Sequence, residues 1–130
     1  MDKRKILIVD DHAIIRQGAA LTLETLGFKV DQAASGDHAV QLFEPGQYAA
    51  ILMDYQMPGM NGFECTAQIR QIESQSGAPR VPIICISAFA KEDMKTVCLE
   101  AGLDDYIPKD WSTDELKGVL DKHLGRLRDS

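Results

Sequence analysis

Two short apolar runs in this chain stop on carboxylates. Ile6-Leu7-Ile8-Val9 runs into Asp10-Asp11, and Ala49-Ala50-Ile51-Leu52-Met53 runs into Asp54. Runs this short, apolar throughout with no polar alternation, suit strands covered on both faces, as in a parallel sheet. The chain cannot continue straight past Asp54, because Pro58, Gly59 and Gly62 follow within eight residues and break either regular structure. Val81-Pro82-Ile83-Ile84-Cys85-Ile86 repeats the pattern and ends on Ser87, and Asp105-Tyr106-Ile107 ends near Lys109.

Helical spacing fills the intervals. Ile15, Ala19, Leu23 and Leu26 recur between His12 and Leu26, with Gly27 as the stop. Lys29-Val30-Asp31-Gln32-Ala33 is a shorter, partly polar strand suited to a sheet edge, and Asp37 to Phe43 makes a short helix closed by Pro45-Gly46. Phe63, Ala67 and Arg70 mark a third helix, which is expected to run out in a linker-like stretch from Ser74 to Pro79. Met94, Val97, Cys98 and Ala101 line a fourth helix stopped by Gly102. The fifth opens with a capping box, Ser112 and Glu115, and presents Leu116, Val119, Leu120, His123 and Leu124 on one face. His123 there reads as a histidine at the core edge rather than a ligand. Five strands alternating with five helices predict an α/β fold, a doubly wound parallel sheet with helices on both faces.

A chain of 130 residues accommodates one domain, expected over 1–130. No apolar run is long enough for a membrane span and the N-terminus lacks a signal-peptide pattern, so a cytoplasmic protein without membrane contact is expected. Cys65, Cys85 and Cys98 lack a zinc-ligand spacing and read as reduced thiols, with buried packing the expected role of Cys85 and Cys98. The net charge of −6 disfavours a nucleic-acid partner, which needs a basic face.

In a doubly wound sheet the carboxyl ends of the strands open onto one edge, where ligands bind. Asp10, Asp11, Asp54, Ser87 and Lys109 would therefore converge. Carboxylates a few ångströms apart repel by about 4 kcal/mol per pair at an effective dielectric near 20, so the cluster requires cations. A divalent ion and Lys109 supply three positive charges against three negative ones. The oxygen-only ligand set points to Mg²⁺ or Mn²⁺ over zinc. Such a site suits phosphoryl transfer onto a carboxylate. The plainer roles stay open residue by residue: Asp10 or Asp11 as a cap of the first helix, Ser87 or Lys109 as solvated loop residues.

At these residues the sequence resembles the receiver domain of two-component response regulators. The likeness covers Ile6 to Asp11, Met53 to Gly62, Ile83 to Ala88, Glu100-Ala101-Gly102 with Asp104-Asp105-Tyr106, and Lys109. The stretch from Asp54 to Pro58, with Gly62 to Thr66 and Ile69-Arg70, looks most like receivers of hybrid sensor histidine kinases. The resemblance implies a flavodoxin-like sheet of strand order 2-1-3-4-5. It implies Asp54 as phosphoacceptor, Asp10 and Asp11 as metal-site acids, and Gln56 as donor of a backbone carbonyl to Mg²⁺. Ser87 would hydrogen-bond the phosphoryl group, Lys109 would be its counter-charge, and Tyr106 would be the ring that moves inward on switching. Gln56, Ala88 and Phe89 would tune the phosphoryl lifetime.

The implied partner is a histidine kinase or a histidine phosphotransfer protein. Docking is expected near the start of the first helix, where Ile14 and Ile15 cannot both face the core; the alternative is that the outer one is an ordinary exposed residue. Asp110 departs from the family, which usually has proline after the lysine, often with a cis peptide. A cis bond before Asp110 would cost about 3–4 kcal/mol, so the expectation is either trans with a reshaped loop or cis held by strong local contacts. Two rival classes remain. An aspartyl-phosphate phosphatase would carry D-x-D, whereas Gln56 occupies the second position; a pure interaction module would have no use for the acids.

Overall fold

The computed structural model describes residues 4–88 and 94–125. Five strands, β1 (Lys5–Val9), β2 (Lys29–Ala33), β3 (Ala50–Asp54), β4 (Ile83–Ser87) and β5 (Asp105–Pro108), alternate with five helices. The helices are α1 (Ala13–Thr25), α2 (Gly36–Leu42), α3 (Gly62–Ser76), α4 (Met94–Glu100) and α5 (Thr113–Leu124). All strand pairs are parallel, in the order β2-β1-β3-β4-β5, as expected.

Because successive strand residues point to opposite faces, each strand feeds two apolar layers. Leu7, Val9, Ile51, Met53, Ile83 and Cys85 pack with Ala39 of α2, Cys65 and Ile69 of α3, and Cys98 of α4. Ile6, Ile8, Leu52, Ile84, Ile86 and Ile107 pack with Ala19 and Leu23 of α1 and with Leu116, Val119 and Leu120 of α5. Strands β3 and β4 are buried at every position, which is why their sequences show no alternation. The edges differ: β2 keeps Lys29 and Gln32 exposed, and β5 contains Pro108, which lacks a ladder donor. Among the described residues, no helix is long and apolar enough to cross a membrane.

Three details of the sequence reading are corrected. The linker expected over Ser74 to Pro79 begins only at Gly77, because α3 continues to Ser76. The Ser74 and Ser76 hydroxyls donate to the carbonyls of Gln71 and Glu73, so these polar residues serve the helix end, and Gly77 closes it in the left-handed region at φ 78°. In α3 the buried face is Cys65, Thr66 and Ile69, with Ala67 exposed. Ile15 lies outside the core at 39% exposure, because Ala19, Ala20 and Leu23 already fill the contact with the sheet.

At the sheet's far edge Arg70 acts as a brace. Its guanidinium donates to the carbonyls of Val81 (2.7 Å) and Gly102 (3.0 Å) and pairs with Asp104 (2.7 Å), while Glu73 accepts from the Val81 N–H at 2.7 Å. This fixes the entry to β4 and, through that strand, the position of Ser87.

Candidate functional site

The carboxyl ends of β1, β3, β4 and β5 meet at one edge. Asp54 closes β3 and is 1% exposed; Asp10, immediately after β1, is fully buried; Ser87 closes β4 at 2% exposure. The register explains the convergence. Val9 pairs with Met53 and Asp54 with Ile86, so Asp10, Asp54 and Ser87 fall at nearly one level. The loop after β3 is held by the Gly62 N–H donating to the Tyr55 carbonyl at 2.9 Å. A Cβ at Gly62 would stand 2.5 Å from the Asp54 carbonyl oxygen, so only glycine lets α3 start this close to the strand end. Asn61 and Glu64 form a capping box there.

Lys109 reaches across from the end of β5. Its ammonium lies 3.1 Å from Asp54 Oδ2 and 3.8 Å from Asp10 Oδ2, and its backbone N–H donates to the Ser87 carbonyl at 2.9 Å. Asp54 remains pushed up to about 6 from the ordinary carboxylate value. Burial is the main cause and the charge of Asp10 the next, opposed by Lys109 and by the Gln56 N–H, which donates to Asp54 Oδ1 at 3.3 Å. One ammonium does not neutralise this edge.

The acids also leave acceptor atoms unused. Asp10 Oδ2 and Asp11 Oδ1 are buried oxygens without a hydrogen-bond partner. Such atoms are costly unless a cation or water meets them. Ligand atoms of Asp10, Asp11, His12 and Asp54 lie within 4.8 Å of one another. Buried, unsatisfied carboxylate oxygens in a mainly oxygen donor set fit a hard divalent cation such as Mg²⁺.

His12 is a site neighbour that the sequence reading did not single out. Its Nδ1 lies 3.2 Å from Asp10 Oδ1, 3.3 Å from Asp11 Oδ1 and 3.3 Å from Lys109 Nζ. The only sequence signal was its adjacency to the acid pair. Asp10 does contribute to the helix start, since its Oδ1 accepts the His12 N–H at 2.8 Å while His12 itself provides no side-chain cap.

The remaining expected residues are placed as follows. Gln56 is exposed beside Asp54, and Ala88 is exposed after Ser87; Phe89 lies outside the described residues. Tyr106 is half-buried, pairs with Cys85 in the β4–β5 register and packs against the layer under α3 and α4; burial raises its phenol. Ile14 is 84% exposed at the start of α1. No cis peptide occurs among the described residues, so Lys109-Asp110 is trans, and the loop turns through a Trp111 N–H to Pro108 carbonyl bond of 3.2 Å.

A doubly wound sheet with this acid, hydroxyl and amine edge defines a phosphorelay signalling module. The family model described as the response regulator receiver domain matches residues 6–121, and the chain belongs to that family, the receiver domains of two-component phosphorelays. It is 36% identical over 122 residues to hybrid signal transduction histidine kinase L of Dictyostelium discoideum, covering 92% of this chain but 7% of the kinase. The receiver domain of sensor histidine kinase PA1611 from Pseudomonas aeruginosa, solved with magnesium coordinated in its active-site cleft, superposes with a TM-score of 0.83 at 35% identity, covering 95% of this chain and 99% of that one. The receiver domain of Ssk1 from Saccharomyces cerevisiae, solved with the histidine phosphotransfer protein Ypd1, gives 0.84 at 29% identity, covering 93% and 88%.

Proposed function

We propose that Asp54 is the phosphoacceptor and that it takes its phosphoryl group from a phosphohistidine on a histidine kinase or histidine phosphotransfer protein. The observation that carries this is the 3.1 Å contact between Lys109 and a buried Asp54 whose neighbours are two further acids. Asp10, Asp11 and Asp54, with the Gln56 backbone carbonyl, would hold Mg²⁺, with Mn²⁺ as a substitute. When bound, the ion supplies charge neutralisation for the transferred group. An Asp54 oxygen attacks phosphorus as the N–P bond breaks, and the donor imidazole leaves with the bonding pair and takes up a proton. Lys109 offsets the charge on the phosphoryl oxygens, and the Ser87 hydroxyl donates to one of them.

Binding the phosphoryl group through Ser87 and Lys109 favours one member of a pre-existing pair of conformations, with Tyr106 moving inward to report the change near α4 and α5. Docking uses the start of α1, where Ile14 offers an apolar contact beside the site. Gln56, Ala88 and Phe89 set the phosphoryl lifetime. The domain acts in the cytoplasm and assists its own phosphorylation and dephosphorylation without a separate substrate. Incubation with acetyl phosphate or a phosphohistidine donor and Mg²⁺ should give acid-labile label on the wild-type chain and none on Asp54→Asn. Label persisting on that variant would refute the assignment.

A further inference from the structure

Among the described residues, the acid edge includes one imidazole. His12 Nδ1 lies 3.2 Å from Asp10 Oδ1, 3.3 Å from Asp11 Oδ1 and 3.3 Å from the Lys109 ammonium. An ammonium can only donate, so the last contact uses the Nδ1 lone pair, in the tautomer with hydrogen on Nε2. That lone pair also stands beside two carboxylate oxygens, which have nothing to donate. Asp10 Oδ1 accepts the His12 backbone N–H at 2.8 Å, but the fully buried Asp10 keeps Oδ2 without a hydrogen-bond partner, and Asp11 Oδ1 has none either. Electron-rich atoms this close repel unless a cation sits among them. Local folding does not account for the imidazole, because its side chain is 57% exposed and gives α1 no cap.

We propose that His12 Nδ1 is a fourth ligand of the metal site, which with Asp10, Asp11 and Asp54 binds Zn²⁺ in competition with Mg²⁺. The inference rests on the proposed metal site and adds to it one residue and one ion. A ligand atom from each of these four residues falls within 4.8 Å of the others. Donors bound to one ion at about 2.0–2.1 Å stand about 3.3 Å apart in a tetrahedron. Nδ1 already has that separation from the two acid oxygens. The remaining donors have only to close inward.

Histidine and aspartate are ordinary zinc ligands, whereas Mg²⁺ favours oxygen and keeps several waters. The nitrogen therefore adds affinity for zinc and little for magnesium. The oxygen-only ligand set read from the sequence lacks this nitrogen. Carboxylate sites already favour later first-row ions to some degree, so the part of the preference that belongs to this chain is the part carried by His12. A zinc ion with four protein ligands keeps no open position for a phosphoryl oxygen. On the proposed function, zinc therefore opposes phosphorylation of Asp54 where Mg²⁺ supports it.

The test is calorimetric titration of the purified chain with zinc chloride and, separately, magnesium chloride, without a phosphodonor. Zn²⁺ should bind at least about tenfold more tightly than Mg²⁺. In His12→Ala the Zn²⁺-to-Mg²⁺ affinity ratio should fall by about tenfold, whereas Asp10→Asn should weaken both ions. In the wild type, the Nδ1 resonance of His12 should shift on addition of Zn²⁺, and excess Mg²⁺ should reverse the shift; this readout needs no variant. An unchanged ratio in His12→Ala, or Zn²⁺ that shifts His38 or His123 in place of His12, would overturn the proposal. A wild-type chain that binds neither ion overturns the zinc site and the Mg²⁺ site together. Labelling of Asp54 is read separately. An unchanged ratio with label on Asp54 sinks only the zinc inference, and the expected ratio without label sinks only the phosphoacceptor assignment.

Discussion

Lys109 Nζ stands 3.1 Å from Asp54 Oδ2 and 3.8 Å from Asp10 Oδ2, bridging two acids from separate strands. Removing its charge leaves Asp54 with burial and Asp10 repulsion and only the Gln56 N–H in opposition. Lys109→Met should therefore move the Asp54 titration above its value of about 6, read by carboxyl NMR without divalent ions. Labelling by acetyl phosphate should slow by at least about tenfold, since one preorganised cation is lost. An unmoved titration would contradict this account of the site.

Asp54 is an acid whose native value is raised, so the native state holds its proton more tightly than the unfolded chain does. Without metal, this group's contribution to stability is greatest below the unfolded value of about 3.9 and falls as pH rises toward about 6, after which the full cost persists. Asp54→Asn removes a cost on the order of 2–3 kcal/mol. Its Tm at pH 7.5 without metal should exceed that of the wild type, with the two curves converging below pH 4. Mg²⁺ should stabilise the wild type more than the variant.

Asp105 tests the opposite sign. It is buried at the start of β5, 2.8 Å from His123 Nε2 and 3.3 Å from Lys122 on α5, and 3.9 Å from Lys95 on α4. Burial alone would raise its carboxyl. The His123 hydrogen bond, the Tyr106 N–H and Lys122 together outweigh burial and hold it below the usual range. The stability it contributes is present above the unfolded value and is lost as pH falls through the lower native one. Asp105→Asn should cost about 1–3 kcal/mol at pH 7 by urea denaturation, and the difference should shrink on acidification.

Gly62 sets how closely α3 approaches β3. In Gly62→Ala the new Cβ meets the Asp54 carbonyl oxygen at 2.5 Å and Tyr55 Cα at 3.0 Å, both backbone atoms that cannot rotate away. A loss of about 1–3 kcal/mol is expected, with weakened Mg²⁺ affinity because the strand end must shift. Wild-type Mg²⁺ binding in this variant would show that the contact has no bearing on the site.

The sheet and its acid edge were legible because fully buried strands write themselves as unbroken apolar runs, so that Asp10, Asp54 and Ser87 stand out as the points where those runs stop. Side-chain pairings made by the fold left no such trace. Asp105 and His123 are 18 residues apart and meet only when α5 packs on the sheet. Ser74 and Ser76 read as linker because hydroxyls that bond back to a helix end have the composition of a loop. Ile15 fitted the helical spacing of α1, but spacing cannot tell which residues of a wide apolar stripe the small Ala19 and Ala20 will leave outside. At Asp110 the alternatives were resolved only by the backbone itself.

The two borders of the sheet have a further consequence. A foreign strand approaching β2 would have to dehydrate Lys29 and Gln32, and one approaching β5 would find no donor at Pro108. Both margins discourage cross-chain zippering, which lets many such units crowd together in a cell, or sit beside other folded modules on one polypeptide, without exchanging strands.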